Sequence, residues 1–140
     1  MPNVDNEALS AAYQAVRDDS NDTTWAAFGY EGPDIVQLAT GPDYADFLSL
    51  CADSERVYGY IRITTGDEMS KRSKFVFITW IGDSVSPLKK ARVSTDKAFV
   101  KQIITNFAKE VLASSHAEIT IAELEEVVRK AGGANYGTGR

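Results

Sequence analysis

Lys74-Phe75-Val76-Phe77-Ile78-Thr79-Trp80-Ile81 decides how the rest of the chain is read. Apart from Lys74 and Thr79 every residue in it is apolar, without the strict alternation of a half-exposed strand. The run predicts a central strand buried on both faces, and two covered faces require a helix layer on each side of the sheet. Just upstream, Thr64-Thr65-Gly66-Asp67-Glu68-Met69-Ser70-Lys71-Arg72-Ser73 is a polar turn whose basic cluster leads straight into the strand. Positive charge is thereby tied to a rigid element, and a fixed cationic patch suits an acidic partner.

Outward from that strand, Val57 to Thr64 alternates, with Val57, Gly59, Ile61 and Ile63 on one side and Tyr58, Tyr60 and Arg62 on the other. Toward the N-terminus, Leu9, Ala12, Tyr13 and Val16 follow helical spacing behind an Asp5 cap. Trp25 to Tyr30 predicts a strand, Glu31-Gly32-Pro33-Asp34 a turn, and Ile35, Val36 and Leu38 its partner. Pro42 opens a helix whose inner face is Tyr44, Phe47, Leu48 and Cys51. Toward the C-terminus, Ser94 reads as the cap of the longest helix. Its stripe would be Val100, Ile103, Ile104, Phe107, Ala108 and Val111, and its polar side Lys97, Lys101, Thr105 and Lys109. Ile119-Thr120-Ile121 predicts a last short strand. The capping-box spacing of Thr120 and Glu123 then starts a final helix on Leu124, Val127, Val128 and Ala131, stopped by Gly132-Gly133. The order is αββαββαβα, an α/β (α+β) mixed sheet between helices. One domain over 5–131 is expected, with a flexible Gly-rich tail at 132–140.

A chain of 140 residues builds one real core, and 44% hydrophobic with 25% charged residues places it among ordinary globular proteins. No apolar run approaches the roughly 20 residues of a membrane helix, and the N-terminus lacks signal-peptide features. A single cysteine, Cys51, excludes an internal disulfide and fits a reducing compartment, so a cytosolic protein is expected. Net charge is -5, unevenly spread. Residues 1–70 carry 13 acidic against 3 basic side chains, and residues 71–140 carry 7 against 12. Overall acidity argues against nonspecific nucleic-acid binding, while the asymmetry suggests an oriented surface if the halves of the sequence are also halves in space.

Catalysis finds little support. Cys51 occupies a helical apolar stripe and reads as a core residue, and His116, the only histidine, lies in a polar loop. One Cys and one His supply no zinc-like ligand set, and no cofactor is expected. The glycines after Gly132 follow a helix, whereas a phosphate cradle precedes one. Basic residues form the sharper case: Lys71, Arg72 and Lys74 at a strand entrance, Lys97 and Lys101 on a helix flank, Arg129 and Lys130 at a helix end. Structural alternatives stand beside a shared binding face. Arg129 and Lys130 complement a helix dipole, and Lys71 and Lys74 guard an apolar strand against aggregation.

Several blocks resemble the coactosins of the actin-depolymerising-factor homology (ADF/cofilin-like) family. They are Ala11-Ala12-Tyr13 with Val16-Arg17-Asp18-Asp19, then Trp25, Phe28, Tyr30 and Gly32, then the long block Thr64 to Gly82. Asn106-Phe107-Ala108-Lys109-Glu110 and Lys130-Ala131-Gly132-Gly133-Ala134-Asn135-Tyr136 complete the match. The resemblance implies an ADF-homology fold with about five strands. It also implies binding to the sides of actin filaments and interference with capping, without strong severing or enzymatic activity. Lys74 and Lys130 stand where such proteins carry filament-binding lysines, with Lys97 and Lys101 as supporting contacts on the long helix. Lys71, Arg72 and Arg129 would add to the same basic face. Depolymerising factors carry a regulatory serine beside the initiator methionine, whereas the first serine here is Ser10. Two alternatives remain: a severing, monomer-binding factor, and a cytosolic adaptor holding an enzyme such as a lipoxygenase on that face. A monomer in the cytoplasm and cytoskeleton is the expected form.

Overall fold

The computed structural model describes the backbone of residues 3–65 and 72–138 and the side chains of 3–64 and 73–131. Helix α1 (Asn6–Arg17) begins at Asp5, whose carboxylate accepts from the Ala8 amide, and it buries Leu9, Ala12, Tyr13 and Val16. Strands β1 (Trp25–Glu31) and β2 (Asp34–Gly41) form a hairpin closed by Glu31 opposite Asp34. Its turn needs Gly32, which sits at φ 61 ahead of the φ-restricted Pro33, in the sign order of a type II′ turn. Helix α2 (Tyr44–Leu50) is capped by Asp43 and turns Phe47 inward. Cys51 closes that helix as its C-cap and is buried.

Strands β3 (Arg56–Thr65) and β4 (Arg72–Ile81) pair antiparallel from Arg56–Ile81 to Thr65–Arg72. Helix α3 (Pro87–Val100) then carries the chain across to β5 (Lys109–Ala113), which runs parallel to β4. A short 3-10 turn at His116–Ile119 leads into the last helix, α4 (Ile121–Thr138). The sheet order is β2-β1-β3-β4-β5, mixed because only β4 and β5 run parallel.

Both faces of the sheet are buried, as the apolar run predicts. One cluster joins α1, α3 and the Tyr58, Tyr60, Phe75 and Phe77 side chains. The other joins Phe47 of α2 and Leu124 and Val128 of α4 to Val57, Ile61, Val76, Ile78 and Trp80. The alternation along β3 therefore separates two cores and not core from solvent. Tyr58 and Tyr60 tolerate burial because each hydroxyl donates to a carbonyl, of Val93 at 3.1 Å and of Asn106 at 2.6 Å.

The element order αββαββαβα holds, with several boundaries moved; α2, for one, starts at Tyr44 behind Asp43 and not at Pro42. Ser94 lies inside α3; the cap is Ser86, whose hydroxyl accepts from the Lys89 amide ahead of Pro87 at the first helical position. The expected stripe from Val100 to Val111 is shared among three elements: Val100 ends α3, Ile103, Ile104 and Phe107 pack from an irregular segment, and Val111 lies on β5. Tertiary bonds hold that segment out of the helix. The Tyr13 hydroxyl accepts from the Asn106 amide at 3.1 Å, while the Tyr60 hydroxyl donates to the Asn106 carbonyl. Such bonds satisfy backbone groups that a helix would otherwise claim.

The last strand is Lys109–Ala113 and not Ile119–Ile121, because Ile119 fills the core from the 3-10 turn. Thr120 does start α4, its hydroxyl accepting from the Glu123 amide at 3.1 Å. The helix continues through Gly132-Gly133 to Thr138, since glycine weakens a helix interior but stops it only where the backbone turns left-handed. The flexible tail expected at 132–140 concerns side chains outside the described residues. Among the described residues, no helix is long and apolar enough to cross a membrane.

Candidate binding face

Strand parity sorts the basic residues. Lys74 shares its face of β4 with Val76, Ile78 and Trp80, the α4 side. Helix α4 starts beside the far end of β4, where the His116 ring lies 5.4 Å from Trp80 and Ala113 pairs with Trp80. Leu124 and Val128 share a cluster with Trp80, Ile78, Val76 and Ile63, so the helix runs back along β4 toward Lys74. The nine helical steps from Ile121 to Lys130 cover about 14 Å, against about 20 Å for the six strand steps from Trp80 back to Lys74. Lys74 and Lys130 thus stand on the same face and toward the same end of the molecule. Lys130 is exposed and Lys74 partly so, and neither forms an ion pair with a described residue.

The other basic residues divide. Arg72 takes the first rung of β4, opposite Thr65, and Lys71 lies outside the described residues. Arg129 is exposed on α4 and paired with Glu126 one turn earlier. Lys97 and Lys101 belong to the opposite, α3 layer. Their amines lie 2.9 and 2.7 Å from the two oxygens of Glu110 on β5. Burial pushes the Glu110 carboxyl up, but hydrogen bonds and charge from Lys101 and Lys97 outweigh it and hold the group below its ordinary value. The seven basic positions therefore do not make one surface.

Lys109 is a residue the sequence reading misplaced. Assigned to a helix with Lys97 and Lys101, it opens β5 opposite Val76, on the α4 side with Lys74. Only the strand period of Lys109, Val111 and Ala113, against the intervening Glu110, could have revealed this. A further exposed group lies on the first turns of α3, where Leu88 is 72% exposed beside Lys89 and Lys90. The Ser86-Pro87 start is the signal that would have put these residues on a helix.

Cys51 and His116 prove to be neighbours without forming a nucleophile–base pair. The His116 Nε2 bonds the Cys51 carbonyl at 2.8 Å, and burial pushes the Cys51 thiol up to about 12. A thiol so raised is protonated at neutral pH and a poor nucleophile. Trp80 Nε1 donates to the adjacent Ala52 carbonyl at 2.8 Å, so these groups fasten the segment after α2 to the sheet.

A family model described as cofilin/tropomyosin-type actin-binding protein matches residues 2–129. The human coactosin-like protein is 47% identical over 95% of this chain and 94% of its own length. Coactosin of Dictyostelium discoideum is 46% identical over 97% of this chain and 95% of its own. In three dimensions the crystal structure of human coactosin-like protein superposes with a TM-score of 0.89 at 43% identity, covering 93% of this chain and 99% of that one. Cofilin of Streptomyces griseoflavus shares the fold at a TM-score of 0.78 and 18% identity, covering 90% of this chain and 98% of that one. The chain belongs to the cofilin/tropomyosin-type family of actin-binding proteins, and within it is similar to the coactosins.

Proposed function

We propose that this protein binds the sides of actin filaments, modulates their dynamics and interferes with capping without strong severing. Lys74 and Lys130 present the central cations, helped by Lys71, Arg72 and Arg129, while Lys97 and Lys101, held by Glu110 in the opposite layer, stand outside this face. The observation that carries this reading is the placement of Lys74 and Lys130 on one face and toward one end of the sheet. Complementary charge orients the encounter and raises its rate, and an apolar centre supplies persistence. A relative supports the choice of filament: mouse coactosin, 46% identical to this chain, is described with its solution structure as an actin filament binding protein. The protein acts as a cytosolic, cytoskeleton-associated monomer and not as an enzyme.

Co-sedimentation with filaments across a salt series, with monomeric actin run in parallel, tests the reading. Exposed charge pairs are screened over a Debye length of about 8 Å in physiological salt. Pelleting is expected to weaken steadily as salt rises. Salt-independent pelleting, or tighter binding to the monomer, would contradict the proposal.

A further inference from the structure

Ser73 stands between Arg72 and Lys74 in sequence and on the second rung of the β3–β4 ladder, opposite Thr64. Its parity sets it with Phe75 and Phe77 on the α1 side, opposite to Lys74. There its Oγ donates to Asp19 Oδ1 at 3.2 Å, and the same oxygen lies 3.8 Å from Arg62 Nη1. Arg62 also donates to the carbonyls of Asp18, Asn21 and Thr23, fastening the segment between α1 and β1 onto β3. Arg17 lies on the same side, its guanidinium 5.2 Å from the centre of the Phe75 ring. Its Nη1 is buried without a hydrogen-bond partner among the described residues. Two guanidinium groups therefore stand on the side to which Ser73 turns its hydroxyl, and the acid now placed at that hydroxyl is Asp19, whose side chain is 80% exposed.

We propose that Ser73 is a phosphorylation site whose modification releases the α1–β1 segment and weakens the basic face. The donor is Mg-ATP on a serine/threonine kinase that selects basic flanks. The Ser73 Oγ attacks the γ-phosphorus, the new O–P bond forms as the bond to the bridging oxygen breaks, ADP leaves, and the hydroxyl proton passes to the kinase's base. Among the described residues Ser73 lies one rung from the last of the ladder, so the Thr65–Arg72 and Thr64–Ser73 rungs open to present it. A phosphoserine carries about -1.5 to -2 charge at pH 7 and three strong acceptors. It repels the Asp19 carboxylate and gains charge-assisted bonds from Arg62, with Arg17 adding positive charge on the same side of the sheet. Asp19 is displaced, and negative charge now sits one residue from both Arg72 and Lys74. The loss of binding rests on the actin reading above; the release of the segment does not.

The full-length protein would be treated with the protein kinase C catalytic domain and Mg-ATP, and also produced with phosphoserine encoded at position 73. Fragment mass spectrometry is expected to find the phosphoryl group at Ser73 and to lose it in Ser73→Ala. Amide exchange across residues 18–24 is expected to quicken, and pelleting with filaments to weaken about tenfold. Absence of incorporation at Ser73, or equal incorporation into Ser73→Ala, overturns the site. Unchanged exchange across 18–24 in the encoded phosphoprotein overturns the release, and unchanged pelleting overturns the effect on binding. If the unmodified protein does not pellet, the actin reading fails, and the exchange measurement still decides whether the segment is released.

Discussion

At the scale of single residues, Lys74 and Lys130, the proposed filament contacts, are expected to divide function from stability. Both project charge from rigid elements and neither pairs with a described acid, so Lys74→Ala and Lys130→Ala are expected to weaken filament pelleting roughly tenfold each. Thermal unfolding should move by less than about 0.5 kcal/mol, as for other exposed substitutions. A large loss of stability in either variant would make the lysine structural. Gly82 is the opposite case. A Cβ built there runs into the Asp53 carbonyl oxygen, and that backbone is held by the Ser84 amide at 2.9 Å and by Trp80 through Ala52. Neither side can retreat, so Gly82→Ala is expected to cost about 3 kcal/mol, read from chemical denaturation. Nothing in the sequence flagged Gly82 as a point of contact, because the clash involves a loop almost thirty residues away.

Among the elements, α3 shows where pattern reading loses to tertiary bonding. Its apolar stripe continues past Val100 in one dimension, but Thr105 and Asn106 are taken by the Tyr13 and Tyr60 hydroxyls, and the chain leaves the helix. Ser86 is the cap, so Ser86→Ala is expected to destabilise the protein by about 1 kcal/mol, whereas Ser94→Ala should change little. Glu110 couples α3 to β5 through Lys97 and Lys101, and its carboxyl is held below the ordinary 4.5. A depressed carboxylate binds fewer protons folded than unfolded. Its contribution is complete above the unfolded value and is lost as pH falls through the folded one. In Glu110→Gln, the acid limb of the stability profile below about pH 4.5 is expected to be shallower, with neutral stability lower by up to about 1 kcal/mol. An unchanged acid limb would show that the ion triad adds nothing. The same triad explains why Lys97 and Lys101 offer less charge to a partner than their positions in sequence suggest.

Over the whole molecule, charge follows the order of the strands. The acidic first half supplies β2, β1 and β3, and the basic second half supplies β4 and β5, so halves of the sequence are halves of the sheet. The sheet therefore separates the acidic half of the chain from the basic half, and an acidic partner is expected to approach the basic half first. In the double variant Lys74→Ala/Lys130→Ala, the salt dependence of the association rate is expected to flatten. Asp22→Asn, among the acidic residues of the first half, should leave it nearly unchanged. Equal slopes in both variants would deny the basic side its steering role. The sequence by itself determined the layered class, the buried central run, the order of elements and the family, because apolar periodicity and local caps act over a few residues. Only the tertiary structure decided which lysines share a face, that Glu110 holds two of them, and where α3 stops. Those outcomes depend on strand parity and on bonds between residues up to 93 positions apart, which no local pattern contains.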